Sequence, residues 1–371
     1  MAELTYCTNI HSGEGWKDVM DNLNGHVLEV RSQFDPATPF PLGLRISGQA
    51  ATELEENPGA LEEFHRWCQE HNSYLLTING FPYGVFHAQR VKEKVYLPDW
   101  RDHERVKYSK LLGDLAVKLQ PDASRISIST VPVAFKANFD TADWPQVNTH
   151  IEEVASHYQQ LHARTGIKLI LSIEPEPLCV LETTAETIRF FEQLQLDATI
   201  HEYVGICFDC CHQAVEFEQA ADCLEQIRSR QIPIGKVQVS SALEASNEEF
   251  SRLLEFDESV YLHQTVAKLA NSDELHHFAD LPDFAKALKS GEQYDQCRTH
   301  FHVPIFLEHL GNCGTTQPFL RDLLPLLDEN TPLEVETYSF SVLPAELRSN
   351  SVAGNIIREL LWVRELLNIR V

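Results

Sequence analysis

The sequence predicts a (β/α)8 TIM barrel, and two observations carry that expectation. Eight short apolar, β-branched runs alternate with helical patterns along the 371 residues. The late runs end on acidic or histidine side chains: Glu174 in LSIEPEP, Asp209 and His212 in VGICFDCCH, and Glu336 in LEVETYSF. The C-terminal ends of barrel strands are where such side chains meet over one mouth.

The strands are expected at 4–10, 42–47, 74–80, 125–131, 168–174, 204–209, 236–241 and 332–337. Between them, Trp16, Val19, Met20 and Leu23 recur at helical spacing. Leu54, Leu61, Phe64 and Cys68 form a second stripe, and Ile188, Phe191 and Leu194 a third. A last helix, from about Pro344, carries Ile356, Ile357, Leu360, Leu361, Val363 and Leu367. No G-x-G-x-x-G follows the first strand, which disfavours a doubly wound dinucleotide domain. Two connections are long: 81–100 after strand three, and 242–331 between strands seven and eight. Long ordered loops usually carry function or structure of their own. The second is read as an insertion over the barrel mouth, within a single domain of residues 1–371. It holds three helical-looking stretches, SNEEFSRLLEF, YLHQTVAKLA and FAKALKS.

An apolar content of 43% supports one large core. The net charge of −25, from 55 acidic and 30 basic residues, repels nucleic acid and anionic lipid. No run is long enough to span a membrane, so no membrane insertion is expected. MAELTYCTNI lacks the marks of a secretory signal, so the expected compartment is the cytoplasm. Nine cysteines, an odd number, fit reduced thiols better than a disulfide framework. Cys207 and Cys210 form one C-x-x-C on a strand, more simply read as packing beside Asp209 than as thiol chemistry.

Buried carboxylates are costly unless paired or bound to a cation, so Glu174, Asp209 and Glu336 at three strand ends call for one shared explanation. D-x-x-H lets one loop present Asp209 and His212 to the same small volume. On strand seven the corresponding residue is Gln238 or Ser240, in KVQVSSA. In the insertion, THFHVPIF places His300 and His302 on one face of an extended segment, where two imidazoles can hold one transition metal. The candidate metal set is therefore Glu174, Asp209, Gln238, Glu336, His300 and His302. Glu174, Glu336 and His212 are the candidate catalytic groups. His11, Arg45, His87, Lys94 and Trp100 are candidates for substrate binding, as cations, imidazoles and aromatics near the mouth, each weighed against a solvated-loop or packing role. His263 and Gln264, in YLHQ, could also reach the mouth.

The order of these motifs resembles the xylose isomerase-like barrels, which include sugar isomerases, sugar epimerases and the apurinic endonuclease four group. There, glutamate ends strand five, D-x-x-H ends strand six, histidine stands on strand seven and glutamate ends strand eight. Gln238 departs from that pattern, so either its amide oxygen or His302 would complete the ligand set. The stretches YCTNIHSGE, PLGLRIS, TINGFPYG, IEPEP, FDCCH, HFHVPIF and VETYSF look more closely like the bacterial metabolite-traffic EboE family. The resemblance implies a metal-dependent isomerase or epimerase acting on a small hydroxy-carbonyl or sugar-like metabolite. It would use one to three divalent ions: Mn²⁺ or Mg²⁺ on a carboxylate set, with Zn²⁺ or Fe²⁺ favoured by added imidazoles. A multi-metal phosphoester hydrolase and a non-catalytic metabolite-binding barrel are the two alternatives. A homo-oligomer is left open.

Overall fold

The computed structural model describes residues 3–85, 92–194, 196–257, 262–340 and 351–368. Eight parallel strands form one sheet: β1 (Leu4–Tyr6), β2 (Phe40–Arg45), β3 (Ser73–Asn79), β4 (Arg125–Thr130), β5 (Lys168–Ile173), β6 (Val204–Asp209), β7 (Ile234–Val239) and β14 (Leu333–Val335). Their order is β1-β14-β7-β6-β5-β4-β3-β2. The two edges meet: Cys7 and Gly43 form an isolated parallel bridge, and Thr5 Oγ1 donates to the Pro41 carbonyl at 2.7 Å. Gly43 permits this approach, because a Cβ there would lie 2.8 Å from the Tyr6 carbonyl oxygen. The sheet is thus a nearly closed barrel with helices between successive strands, as the alternation predicts.

Near-continuous burial along β2, β6 and β7 matches strands covered on both faces. Helix boundaries follow local chemistry. Thr183 caps the helix Thr184–Gln193 in a capping box with Glu186, and Gly166 at φ 79° ends the helix Trp144–Thr165. The first strand is shorter than expected: Thr8–Ile10 turn into a single 3₁₀ turn. That turn carries Asn9 to the barrel mouth. The barrel interior holds a fully buried ion pair, Lys236 Nζ to Glu334 Oε2 at 2.9 Å, and Thr77 Oγ1 donates to the same oxygen at 2.7 Å.

Between β7 and β14, a second sheet is built from β8 (Leu243–Ser246), β9 (Thr265–Leu269), β10 (Leu275–Phe278), β11 (Tyr294–Thr299), β12 (His309–Leu310) and β13 (Cys313–Thr315). Its order is β10-β9-β11-β8-β13-β12 and every pairing is antiparallel. This corrects one helical expectation: YLHQTVAKLA supplies β9. Thr265, Val266 and Ala267 are buried, with β10 and β11 bonded on its two sides. Pairing with strands distant in sequence decides such a segment, and local apolar spacing does not register it. FAKALKS is helical, within Leu281–Ser290.

The last helix is described over Val352–Asn368, and Pro344 lies outside the described residues. Its Glu359 is buried. Glu359 Oε1 accepts from Thr337 Oγ1 at 2.7 Å and from the Ile305 N–H at 3.1 Å, while Oε2 has no hydrogen-bond partner among the described residues. Burial pushes this carboxyl up to about 8. Its folded value lies above the unfolded value of about 4.3, so the fold prefers the protonated acid. That stabilisation is complete at acid pH and is lost as pH rises through about 8. Glu359→Gln is expected to flatten the fall of melting temperature over that range; an unchanged slope would contradict this assignment.

Candidate functional site

Asp209 on β6 stands beside Gln238 on β7, which in turn pairs with Glu334 on β14. Glu336 is two residues beyond Glu334, on the same side of the pleat. Glu174 follows the last residue of β5, and its N–H donates to the Thr130 carbonyl of β4. Four adjacent strands thus present these side chains at one end of the barrel. The cavity above has an open volume of about 600 Å³ that continues into solvent. Its polar wall includes Glu174, Glu176, His212, His300, His302 and Glu336; Phe81, Pro82, Val95 and Leu262 supply an apolar wall. Asp209 and Gln238 are buried beside this lining and belong to no wall of it.

The hydrogen-bond inventory of these groups does not close on protein atoms alone. Glu174 Oε2, Asp209 Oδ2 and both amide atoms of Gln238 are buried without a hydrogen-bond partner among the described residues. Each such atom costs of the order of 1–3 kcal/mol, more when charged. Carboxylate oxygens and an amide oxygen are together the hard donor set of a divalent cation, so these residues fit a metal.

The histidines fit one as well, and their tautomers follow from their partners. His212 Nδ1 lies 2.8 Å from the Pro175 carbonyl and His302 Nδ1 lies 2.7 Å from the Glu336 carbonyl. A carbonyl only accepts, so each Nδ1 carries the hydrogen. His300 Nδ1 meets Gln264 Oε1 at 3.0 Å. The Gln264 amide is oriented by its Nε2, which donates to Glu176 Oε1 and the Pro177 carbonyl. The three rings therefore turn their Nε2 atoms toward one another, His212 to His300 at 3.1 Å and His300 to His302 at 3.2 Å; burial alone would lower His212, but Asp209, Glu176 and Glu174 outweigh it and raise that ring. One proton can bridge only one of these contacts. A tetrahedral ion with arms of about 2.0–2.1 Å separates its ligands by about 3.4 Å, close to this spacing. Ligand atoms of Asp209, His212 and His302 lie within 4.8 Å of one another, as do those of Glu176, His212 and His300.

The electrostatics are divided. Burial, then the nearby Asp209, pushes the Glu174 carboxyl up to about 8. Burial, with Glu174 and Asp209 beside it, raises Glu336 well above the ordinary range. Asp209 is the exception. Burial would raise it, but His212, His302 and the Ser240 hydroxyl outweigh that and hold it low. Burial lowers His300 well below its usual value and His302 to about 4, leaving both rings neutral.

Of the other expected residues, Gln264 reaches the cavity and His263 instead lies 3.6 Å from Asp280 Oδ1. Arg45 is buried away from it, bound to Glu14 Oε2 at 2.7 Å and to the Gly13 and Gly84 carbonyls. His11 contacts the Tyr6 hydroxyl at 3.0 Å and stacks on His26. Trp100 is wholly buried, its carbonyl 2.8 Å from His150 Nδ1, and Lys94 is exposed. None of these four lines the cavity. His87 lies outside the described residues. In place of Lys94 and Trp100, the same loop contributes Lys92 and Tyr96. Glu176 was not among the expected residues: Tyr96 donates its hydroxyl to Glu176 Oε1 at 2.6 Å, and His300 Nδ1 is 3.5 Å away. The signal was present in E-P-E-P. Proline disfavours helix for the residue before it, and spacing of two along extended chain puts Glu174 and Glu176 on one side.

Comparison with known proteins bears on the fold. A xylose isomerase-like TIM barrel protein from Mycobacterium smegmatis, in complex with magnesium, matches with a TM-score of 0.56 at 12% identity, over 100% of this chain and 98% of that one. The IolI protein with a bound zinc atom matches at 0.50 and 12%, over 100% and 99%. A D-allulose 3-epimerase from Methylomonas sp., in complex with D-allulose, matches at 0.50 and 11%, over 100% and 97%. These likenesses support the (β/α)8 TIM-barrel fold. No family model matches the sequence. No curated protein matches it either.

Proposed function

We propose that this protein is a metal-dependent isomerase or epimerase of small hydroxy-carbonyl or sugar-like metabolites, of the kind the EboE-like stretches suggest for secondary-metabolite processing or traffic. The observation that carries the reading is the partnerless Glu174, Asp209 and Gln238 atoms beside a cavity walled by Glu174 and Glu336. Glu174, Asp209, Gln238 and Glu336 would hold the ion, with His302 completing the set. A bound divalent ion supplies Lewis-acid polarisation of a carbonyl and its neighbouring hydroxyl. Glu174 and Glu336, both raised toward or above neutral pH, would act as proton carriers, one accepting the α-proton and the other returning one. Asn9 Nδ2 donates to Glu336 Oε1 at 2.5 Å and would orient that carboxyl. His212, tethered through Nδ1, would orient a substrate oxygen.

The converging Nε2 atoms favour a second reading, in which His212, His300 and His302 hold a further ion and the enzyme cleaves a phosphoester. Elemental analysis together with solvent-deuterium incorporation into hydroxy-ketones separates these. One Mn, Mg or Fe per chain with deuterium uptake supports the isomerase. Two or three ions, zinc among them, with phosphoester cleavage support the hydrolase. No metal after reconstitution and no exchange overturn both in favour of a metabolite-binding barrel.

A further inference from the structure

Away from the barrel mouth, three side chains converge from separate elements. Glu182 lies in the loop after β5, just before the cap residue Thr183. Glu216 follows the short helix Cys210–Val215 that succeeds β6, and His277 is on β10 of the second sheet. His277 Nε2 is 2.8 Å from Glu216 Oε2 and 3.8 Å from Glu182 Oε1, and the three ligand atoms fall within 4.8 Å of one another. Lys136 pairs with Glu182 Oε2 and with Glu186, and so balances charge on the outer side of the cluster.

A protonated His277 paired with Glu216 is the simplest account of the 2.8 Å contact, but it leaves one fact over. The Glu216 side chain is only 1% exposed, and its Oε1 has no hydrogen-bond partner among the described residues. An imidazolium engages one carboxylate oxygen and leaves the other stranded. A divalent cation can take both oxygens of one carboxylate, a second carboxylate and an imidazole lone pair. The ligand separations of 2.8 and 3.8 Å bracket the edge of about 3.4 Å that zinc-like arms demand. His277 is 33% exposed, so the ion has a route in from solvent.

We propose that Glu182, Glu216 and His277 form a divalent transition-metal site of the zinc type, separate from the barrel mouth. The ion would fasten the second sheet, through β10, to the loops that follow β5 and β6. Its role would be structural, because none of the three lines the main cavity. The test uses the full chain with Zn²⁺ alone as probe. In an Asp209→Asn, His302→Ala background, which removes ligands at the mouth, one tightly held zinc per chain is expected to remain. Adding His277→Gln, a change at a half-exposed position, is expected to remove it, and so is Glu216→Gln. The parent carrying His277→Gln alone should hold one zinc fewer and melt at a lower temperature in zinc, with no difference in chelator. A folded background variant that holds no zinc overturns the proposal. So does a retained zinc indifferent to both His277→Gln and Glu216→Gln. A failure of the mouth to bind metal is a different result: the parent itself would then show only the zinc that depends on His277.

Discussion

The double variant Asp209→Asn, Glu336→Gln is expected to fold like the parent and to bind divalent metal roughly 100-fold more weakly or worse, with turnover lost. Even outer-shell partners of metal ligands are worth about 10–100-fold in affinity, and these two are assigned to the ion itself. Folding should survive for a stated reason. Asp209 Oδ1 accepts from the His212 N–H at 3.0 Å and from Ser240 Oγ at 2.7 Å, and an asparagine carbonyl accepts both. Replacing Glu336 also removes a carboxyl that burial and its acidic neighbours disfavour as an anion. The parent should show a matching pH dependence. Metal must displace protons from Glu174, held near 8, and from Glu336, held higher still. Affinity therefore rises with pH toward about 8 and beyond, with protons released on binding. Titration calorimetry in buffers of different ionisation enthalpy counts those protons. A folded double variant that keeps the parent's metal content would remove both carboxylates from the ligand set.

Lys236→Met is expected to cost about 3–5 kcal/mol of stability, because it leaves Glu334 as an uncompensated buried charge. Both partners are fully buried, and Glu334 Oε1 already lacks a hydrogen bond. Adding Glu334→Gln should recover much of the loss, since a neutral interior no longer requires the ammonium. Denaturant unfolding of the two variants decides it. A single variant as stable as the parent, or a double variant worse than the single, would show that the pair is not coupled in this way. The charge pair also lies one pleat below Glu336, so the single variant is expected to disturb metal binding as well as stability.

The barrel was legible because its signals are local. Eight β-branched runs and their helical spacers each announce themselves within about ten residues, and Glu174, Asp209, His212 and Glu336 stand at the ends of those runs. What the sequence concealed depends on long-range geometry. β9 is a strand because β10 and β11 flank it, which no local pattern records. Arg45 sits at a strand end as a mouth residue should, yet Glu14 claims it across the β1–β2 connection. His300 and His302 were readable as a pair from H-x-H. That their lone pairs face His212 follows only from the Pro175, Gln264 and Glu336 oxygens that fix each ring.

Every group assigned to an ion at the mouth comes from β5 or later in the chain. Among the described residues, the first half supplies Asn9, Asn79, Phe81, Pro82, Lys92, Val95 and Tyr96 to the same cavity, and no carboxylate or imidazole. Under the proposed function, the groups that would hold an ion come from one half of the polypeptide, and the other half supplies part of the wall a substrate would face. On that reading, a directed-evolution library for new compounds would begin at Phe81, Pro82, Lys92 and Val95, with Asn9 and Tyr96 kept for their bonds to Glu336 and Glu176.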